Sequence, residues 1–184
     1  IDQDGDPMDL TLGHGTHVAG TAAAVGDNGI GVTGVSWNAK IMAVKLNSDL
    51  AAGFVDSDAI NAIDYVTMMK EDYGVNVVVS NNSWGELDPP STAMFNSPAL
   101  ADAIQAHVDA GIVFVAAAGN DTNDNDIIAN YPSNHPVDGI ITVAATDKDD
   151  SLAGFSNWGR TTVDLAAPGV DILSTAIRAG ALIS

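Results

Sequence analysis

The segment Gly111-Ile112-Val113-Phe114-Val115-Ala116-Ala117-Ala118-Gly119-Asn120 decides the fold. Its centre, Ile112 to Ala117, is a short apolar run that stands between two glycines. Such a run is typical of a β-strand that is buried on both faces. A helical pattern precedes it, because Ser97-Pro98 predicts a helix start and Gly111 lies just past the helix end.

The same alternation of helix and strand continues in both directions along the chain. A helix is predicted from Ser57, which can cap it, to Tyr73. Further apolar runs predict strands at 41–46, 75–80, 140–145 and 163–166. Strands buried on both faces and separated by helices indicate an α/β fold, a doubly wound, mostly parallel sheet with helices on both faces. The polar, turn-rich stretch 121–136 is expected to be a surface loop.

Length and composition limit the classes of protein. With 184 residues, 46% of them hydrophobic, the chain is expected to form a single domain over 1–184. The formal net charge of −18 leaves no basic face for a nucleic acid. The absence of cysteine excludes disulfides and thiolate chemistry. We find no apolar run long enough to span a membrane and no signal peptide, although the opening Ile1-Asp2 looks internal.

The motif Gly13-His14-Gly15-Thr16-His17-Val18-Ala19-Gly20 is the first to carry chemistry. Histidine is the side chain best suited to transfer a proton near neutral pH. The small residues that follow predict a helix thin enough to be buried, with His14 at its N-terminus. Of the three further histidines, His17 is interpreted as structural, His107 as a residue of a helix surface and His135 as a loop residue.

Polar and small residues also follow the predicted strands, and ligands of parallel sheets gather at the carboxyl ends of strands. Two such segments are Asn81-Asn82-Ser83-Trp84-Gly85 and Ala118-Gly119-Asn120. Together with His14-Gly15-Thr16-His17 and Ala166-Ala167-Pro168-Gly169, they resemble, in order and spacing, the motifs of the subtilisin-like serine proteases, the subtilases.

The resemblance implies a three-layer subtilisin-like fold and a role for each matching residue. His14 would be the general base, and Asn120 would donate a hydrogen bond to the developing oxyanion. Small residues of two strand ends would let a peptide or protein substrate pair with the cleft like an added strand. The residues expected to contact substrate are Ser83, Trp84, Gly85, Ala117, Ala118, Gly119 and, on the opposite wall, Gly53 and Phe54. Trp84 is equally well interpreted as ordinary packing.

Two motifs of the family are absent from this sequence. No Asp-Thr-Gly or Asp-Ser-Gly turn precedes His14, and no Gly-Thr-Ser-Met-Ala stretch carries a nucleophile. The chain therefore looks like a subtilase core that is truncated at both ends, and by itself it is expected to be inactive or very weak. Exposed truncated edges would favour a homodimer or a complementing fragment.

Calcium is the expected metal, since aspartate and backbone oxygens suit a hard cation. The stretch 25–32 resembles the strong calcium loop of the family, with ligands expected at Val25, Asp27, Asn28, Ile30 and Val32. Asp121, Asp124 and Asp126 form a second candidate.

Three functions compete at this point. The first is a fragment of a secreted serine endopeptidase that acts through an acyl-enzyme. The second is a non-catalytic protein on the same scaffold that binds peptides or inhibits a protease. The third is another hydrolase that uses Ser83, Ser174 or Ser184, although none of these lies in a Gly-x-Ser-x-Gly elbow.

Overall fold

The computed structural model of the chain describes residues 13–46, 54–87 and 95–177. The chain divides into two units, Ile1–Phe54 with Asp171–Ser184, and Val55–Val170. No helix within the described ranges is both long and apolar enough to cross a lipid bilayer.

Helix α1 (His14–Ala23) belongs to the first unit. The extended stretch 172–177 runs beside it, and the hydroxyls of Ser174 and Thr175 donate to the carbonyls of His17 and Thr16 at 2.5 and 2.6 Å. Gly20 permits this approach, because a Cβ there would lie 2.1 Å from Thr175 Oγ1. Gly20 is also the only buried residue of α1. The prediction of a buried helix is therefore wrong; the small residues allow close approach along one side.

The predicted strand at 41–46 is also wrong. No strand is formed there, and Ile41 and Val44 are 53% and 36% exposed. An apolar run becomes a strand only where a neighbour completes its hydrogen bonds, and the described sheets contain no partner for it.

The second unit is built on a four-stranded parallel sheet in the order β1-β3-β5-β6. The strands are β1 (Val79–Asn82), β3 (Val113–Ala117), β5 (Ile140–Thr146) and β6 (Leu165–Pro168). The register places Asn82 opposite Ala116, and Ala117 opposite Val143. Two short strands, β2 (Glu86–Leu87) and β4 (Asn130–Tyr131), form a separate antiparallel pair.

Two helices pack against each other in this unit: α2 (Asp56–Glu71) and α3 (Pro98–Asp109). Helix α3 starts at Pro98, as the Ser97-Pro98 pair predicted, and the Ser97 hydroxyl caps it by accepting the Leu100 N–H at 3.0 Å. Ser57 does not cap α2, because the helix begins one residue earlier and the Asp58 carboxylate accepts the N–H of Val55 instead. The core includes apolar side chains of both helices, of β3 and of the residue before β3, among them Ala59, Ile63, Leu100, Ile104, Ile112 and Phe114.

The stretch 121–136 is not a plain surface loop. Asn125, Asn130, Ser133 and His135 are all buried. Hydrogen bonds from the side chains of Asn125, Ser133 and His135 to backbone carbonyls allow their burial, since a paired polar group avoids most of the cost of leaving water. The Oδ1 of Asn130, in contrast, has no hydrogen-bond partner among the described residues. The prediction of a surface loop is therefore wrong for these positions.

Candidate active site

A cavity of about 260 Å³ lies at the carboxyl edge of the parallel sheet. It is lined by the ends of β1, β3, β5 and β6 and by the residues that follow them. Five of the predicted site residues line it together: Ser83, Ala117, Ala118, Gly119 and Asn120. These five residues thus lie together at the carboxyl ends of the strands, which is the position that the sequence predicted for them.

Asn120 is an exposed polar residue at the edge of this cavity. Its side chain makes no hydrogen bond to any residue of the described part of the chain. An unpaired carboxamide can donate its N–H groups to a negatively charged oxygen in the cavity.

A buried asparagine, Asn157, holds the turn that carries Asn120. Its side chain is fully buried, and its Nδ2 donates to the carbonyl of Ala118 at 3.0 Å. Its Oδ1 accepts the backbone N–H groups of Asp121 and Asn123 at 2.7 and 3.2 Å. The backbone N–H of Asn157 also donates to the carbonyl of Gly119 at 3.0 Å. One residue therefore contacts the turn on both sides of Asn120.

Asn125 reinforces the first of these contacts. Its Nδ2 donates to the same Ala118 carbonyl at 2.8 Å, and its own side chain is buried. A carbonyl has two lone pairs, so both amides can be accepted at once.

Gly119 is required by this packing. It has a φ of +113°, and a Cβ would lie 2.3 Å from Asn157 Nδ2 and 2.6 Å from Asn130 Nδ2. A side chain at this position would collide with both amides and would strain the backbone.

Asn130 occupies the space between the two predicted substrate-contacting segments. It is 1% exposed, and its Oδ1 has no hydrogen-bond partner among the described residues. The same oxygen would lie 3.0 Å from a Cβ at Gly85. A buried, unpaired acceptor thus lies next to Gly85 and Gly119, where the sequence pattern did not indicate one.

The remaining predicted contact residues do not line this cavity. Trp84 packs edge-on against Phe95 with ring centroids 5.4 Å apart and donates its Nε1–H to Asn82 Oδ1 at 3.2 Å. Gly85 is exposed next to it. Phe54 belongs to the first unit, and Gly53 lies outside the described residues.

His14 is the first residue of α1 and is exposed, after Gly13 with a φ of +69°. Because it belongs to the first unit and Asn120 to the second, their cooperation stays a prediction. His17 is structural, as expected, since its Nε2 lies 3.1 Å from the carbonyl of Ile172.

Of the three serines considered as alternative nucleophiles, two form hydrogen bonds within the protein and one lies outside the described residues. The Ser174 hydroxyl donates to the backbone of α1. Ser83 Oγ accepts from Asn81 Nδ2 at 2.8 Å. Ser184 lies outside the described residues.

The structure corrects the prediction that His107 lies on a helix surface. The residue is 1% exposed, with Nδ1 2.8 Å from Thr67 Oγ1 and Nε2 3.0 Å from Ser80 Oγ. Burial lowers its pKa from 6.5 to about 4 despite a hydrogen bond that favours the charged form, and the nearby Lys70 lowers it further. His135 lies in a loop, as expected, and burial lowers its pKa too.

The described residues do not assemble a metal site of three or more acidic or histidine ligands. The stretch 25–32 has a single carboxylate, Asp27, and Asn28 Oδ1 already accepts the N–H of Ile30 at 2.9 Å. Calcium takes six to eight oxygen ligands, so these residues have the right donor chemistry but are too few.

The second calcium candidate is not a cluster either. The Asp126 carboxylate accepts hydrogen bonds from the backbone of 160–162 and from the hydroxyls of Thr161 and Thr162, the latter at 2.7 Å. These bonds, that of the Thr162 hydroxyl above all, lower its pKa from 3.8 to about 2. The carboxylate oxygens are thus already used within the protein.

Comparison with known proteins agrees with the motifs and the fold. The model of the subtilase family matches residues 2–182. This chain belongs to the subtilase family, and the predicted fold class is confirmed by solved structures of that family.

Among its relatives is a thermophilic serine proteinase of Bacillus sp. (strain AK1), 41% identical over 175 residues, which cover 95% of this chain and 38% of the relative. An extracellular protease of Xanthomonas campestris pv. campestris is 37% identical over 173 residues, covering 93% and 28%. The crystal structure of a cold-adapted subtilisin-like serine proteinase superposes with a TM-score of 0.70 at 33% identity, covering 89% and 51%. The chain spans 24% to 53% of the length of eight curated relatives that it matches.

Proposed function

We propose that this chain provides the general base and an oxyanion donor of a subtilisin-like serine endopeptidase, with residues 1–184 belonging to one catalytic domain. The free Asn120 carboxamide at the cavity edge is the observation that carries the proposal. Family membership supports hydrolysis of peptide bonds through an acyl-enzyme.

Each residue has a defined part in this chemistry. His14 takes the proton of the nucleophile and returns it to the leaving amine. Asn120 donates its side-chain N–H to the oxygen of the tetrahedral intermediate, where negative charge develops. Ser83 and Ala117 to Gly119 line the channel along which an extended substrate backbone pairs. The nucleophile and the carboxylate that orients His14 belong to motifs that this sequence lacks, so the 184-residue chain alone is expected to be nearly inert.

The decisive experiment measures peptide hydrolysis by the protein expressed from its full coding sequence. Removal of an oxyanion donor is known from a subtilisin to cost about 10²–10³ in kcat, and we expect Asn120→Ala to cause a loss of that order with little change in KM. His14→Ala should abolish activity. Asn61→Ala, which removes an exposed amide of α2, is the matched control and should leave kcat unchanged.

An activity that survives Asn120→Ala undiminished would contradict the proposal. Labelling with a fluorophosphonate separates the alternatives. A label mapped to Ser83 or Ser174 would favour a different hydrolase, whereas measurable peptide binding without any labelling would favour a binding protein.

We further propose that calcium stabilises the protein through the stretch 25–32, with ligands at Val25, Asp27, Asn28, Ile30 and Val32 and further oxygens from elsewhere. Support comes from the oxygen chemistry of Asp27 and Asn28. A lower melting temperature with a chelator, restored by added calcium, is the expected result. A melting temperature that the chelator leaves unchanged would contradict the proposed calcium site.

Secretion and peptide or protein substrates are proposed by analogy with relatives, one of which is named an extracellular protease. The predicted homodimer or complementing fragment stays a prediction, which light scattering of the purified chain tests directly.

A further inference from the structure

We propose that Asn157 is the positioning residue for Asn120, and this inference rests on the proposed role of Asn120 as oxyanion donor. Asn157 follows Asp121 by 36 residues in the sequence and does not line the cavity. It acts on the site through the turn that it holds.

The direction of the peptide groups is the first argument. Asn157 binds the carbonyl of Ala118 with its side chain and that of Gly119 with its backbone N–H. In a trans peptide the C=O and N–H point in opposite directions. The N–H groups of Gly119 and Asn120 therefore face away from Asn157. Loss of the Asn157 side-chain bond would leave the Ala118 carbonyl held by Asn125 Nδ2 alone and so would loosen the orientation of this peptide.

The second argument is that the same amide also fixes the far side of the turn. Asn157 Oδ1 accepts the N–H groups of Asp121 and Asn123. Asn120 is thus the apex between two anchored segments, while its own side chain is unpaired in the described residues. Preorganisation of this kind matters because a donor must already be aimed where charge develops.

The third argument is the burial of Asn157. A buried amide is costly unless all its groups are paired, and those of Asn157 are paired only with the turn at 118–123. An apolar residue of the same size would fill the space but would bind neither end of the turn. The chemistry of this side chain is therefore matched to the turn and not to packing alone.

The test is a double-mutant cycle in the protein expressed from its full coding sequence. Asn157→Asp keeps the size and an acceptor but replaces the Nδ2 donor by an oxygen that faces the Ala118 carbonyl. If the orientation of the Asn120 donor matters, kcat should fall at least tenfold with KM nearly unchanged, since complete removal of an oxyanion donor lowers kcat by about 10²–10³. In the Asn120→Ala background the same substitution should change kcat less than twofold.

Thr142→Val is the structural control. It removes a buried hydroxyl that donates at 3.2 Å to the carbonyl of Ser133, a residue outside the turn at 118–123. The inference would be overturned if Asn157→Asp lowered kcat no more than Thr142→Val does. It would also be overturned if Asn157→Asp lowered kcat by the same factor in the Asn120→Ala background as in the wild type. If Asn120→Ala alone leaves kcat unchanged, the proposed function fails. This result comes from the single variant and is therefore distinct from a failure of the positioning role of Asn157.

A second measurement does not depend on catalysis. Amide hydrogen exchange should show that Asn157→Ser deprotects the N–H groups of Asp121 and Asn123 at least tenfold, while Thr142→Val does not. Unchanged protection at both amides would overturn the positioning role, whatever the activity of the protein.

Discussion

The Nε2 atom of His107 lies 3.0 Å from the hydroxyl oxygen of Ser80, so that α3 is joined to the strand that enters the candidate active site. Ser80 Oγ also accepts a hydrogen bond from Asn82 Nδ2 at 3.0 Å. On its other side the ring meets Thr67 Oγ1 of α2. A neutral ring thus connects two helices with β1 in the core of the second unit.

The lowered pKa of His107 predicts a loss of stability in mild acid. The unfolded chain binds a proton near pH 6.5, whereas the folded chain resists it until about pH 4. The unfolded state therefore holds more protons between these values, and stability falls as pH drops through this window. The full effect is on the order of 3 kcal/mol, at about 1.4 kcal/mol per pKa unit. Urea unfolding between pH 4 and 7.5 should show a flatter profile for His107→Gln.

His135 contributes in the same direction, because burial lowers its pKa as well. The wild-type slope should therefore decrease, not vanish, in His107→Gln. Thr67→Val is the control, since it removes a partner of the ring but keeps the titrating group. It should lower stability at every pH without flattening the profile, and an identical slope in all three proteins would contradict the assignment to His107.

Gly119 should tolerate no side chain. In Gly119→Ala the Cβ would meet the amides of Asn157 and Asn130 at a φ of +113°. Strain and overpacking of this kind cost about 1–3 kcal/mol each, so the midpoint of urea unfolding should fall clearly. Gly154→Ala is the matched control, because a Cβ there meets nothing within 4 Å. Equal midpoints for the two variants would show that the turn is looser than its contacts indicate.

Local signals in the sequence predicted part of the fold closely. Ser97, Pro98 and Gly111 place the ends of α3 within two residues, because capping and chain reversal depend on the residues at the ends themselves. The prediction of a strand at 41–46 was wrong because a strand forms only where a neighbouring strand completes its hydrogen bonds. The strands β2 and β4 are two residues long, too short to produce a periodic pattern.

The residues of the candidate site also divide into those that local sequence signals predicted and those that they did not. Asn120 and the small residues before it were found because they follow a recognisable strand. Asn157 and Asn130 could not be found, because a buried asparagine has no periodic signature. The hydrogen-bond partners of Asn157 also lie far away in the sequence. Polar composition even predicted the wrong environment for 121–136, since polarity does not tell whether a side chain is paired inside the protein.

Asp126 should contribute to stability only where it is ionised. Its carboxylate accepts hydrogen bonds from 160–162, and its pKa is lowered from 3.8 to about 2. For an acid with a lowered pKa, the stabilisation is present above pH 3.8 and is lost as pH falls towards 2. Asp126→Asn should therefore lower the melting temperature at pH 5, and the difference from wild type should shrink by pH 2.5.

Asp149→Asn is a suitable comparison for Asp126→Asn. Asp149 forms an exposed ion pair with Lys148 at 2.6 Å, and such surface pairs contribute little. Its melting temperature should stay close to that of wild type throughout this range. A pH-independent difference for Asp126→Asn would mean that the hydrogen bonds, and not the charge, matter.

The two serines near the starts of α2 and α3 give a direct test of which one is a cap. Ser97 Oγ accepts the Leu100 N–H at 3.0 Å and donates to Asp56 Oδ2 at 2.5 Å, so that one hydroxyl serves both helices. Loss of such a cap costs about 1 kcal/mol, and the loss of a donor to a carboxylate should add to it in Ser97→Ala. Ser57→Ala should change the free energy of unfolding by less than about 0.5 kcal/mol, because Ser57 is exposed within α2. Urea unfolding of both variants decides the matter, and equal losses would contradict the assignment of the cap to Ser97.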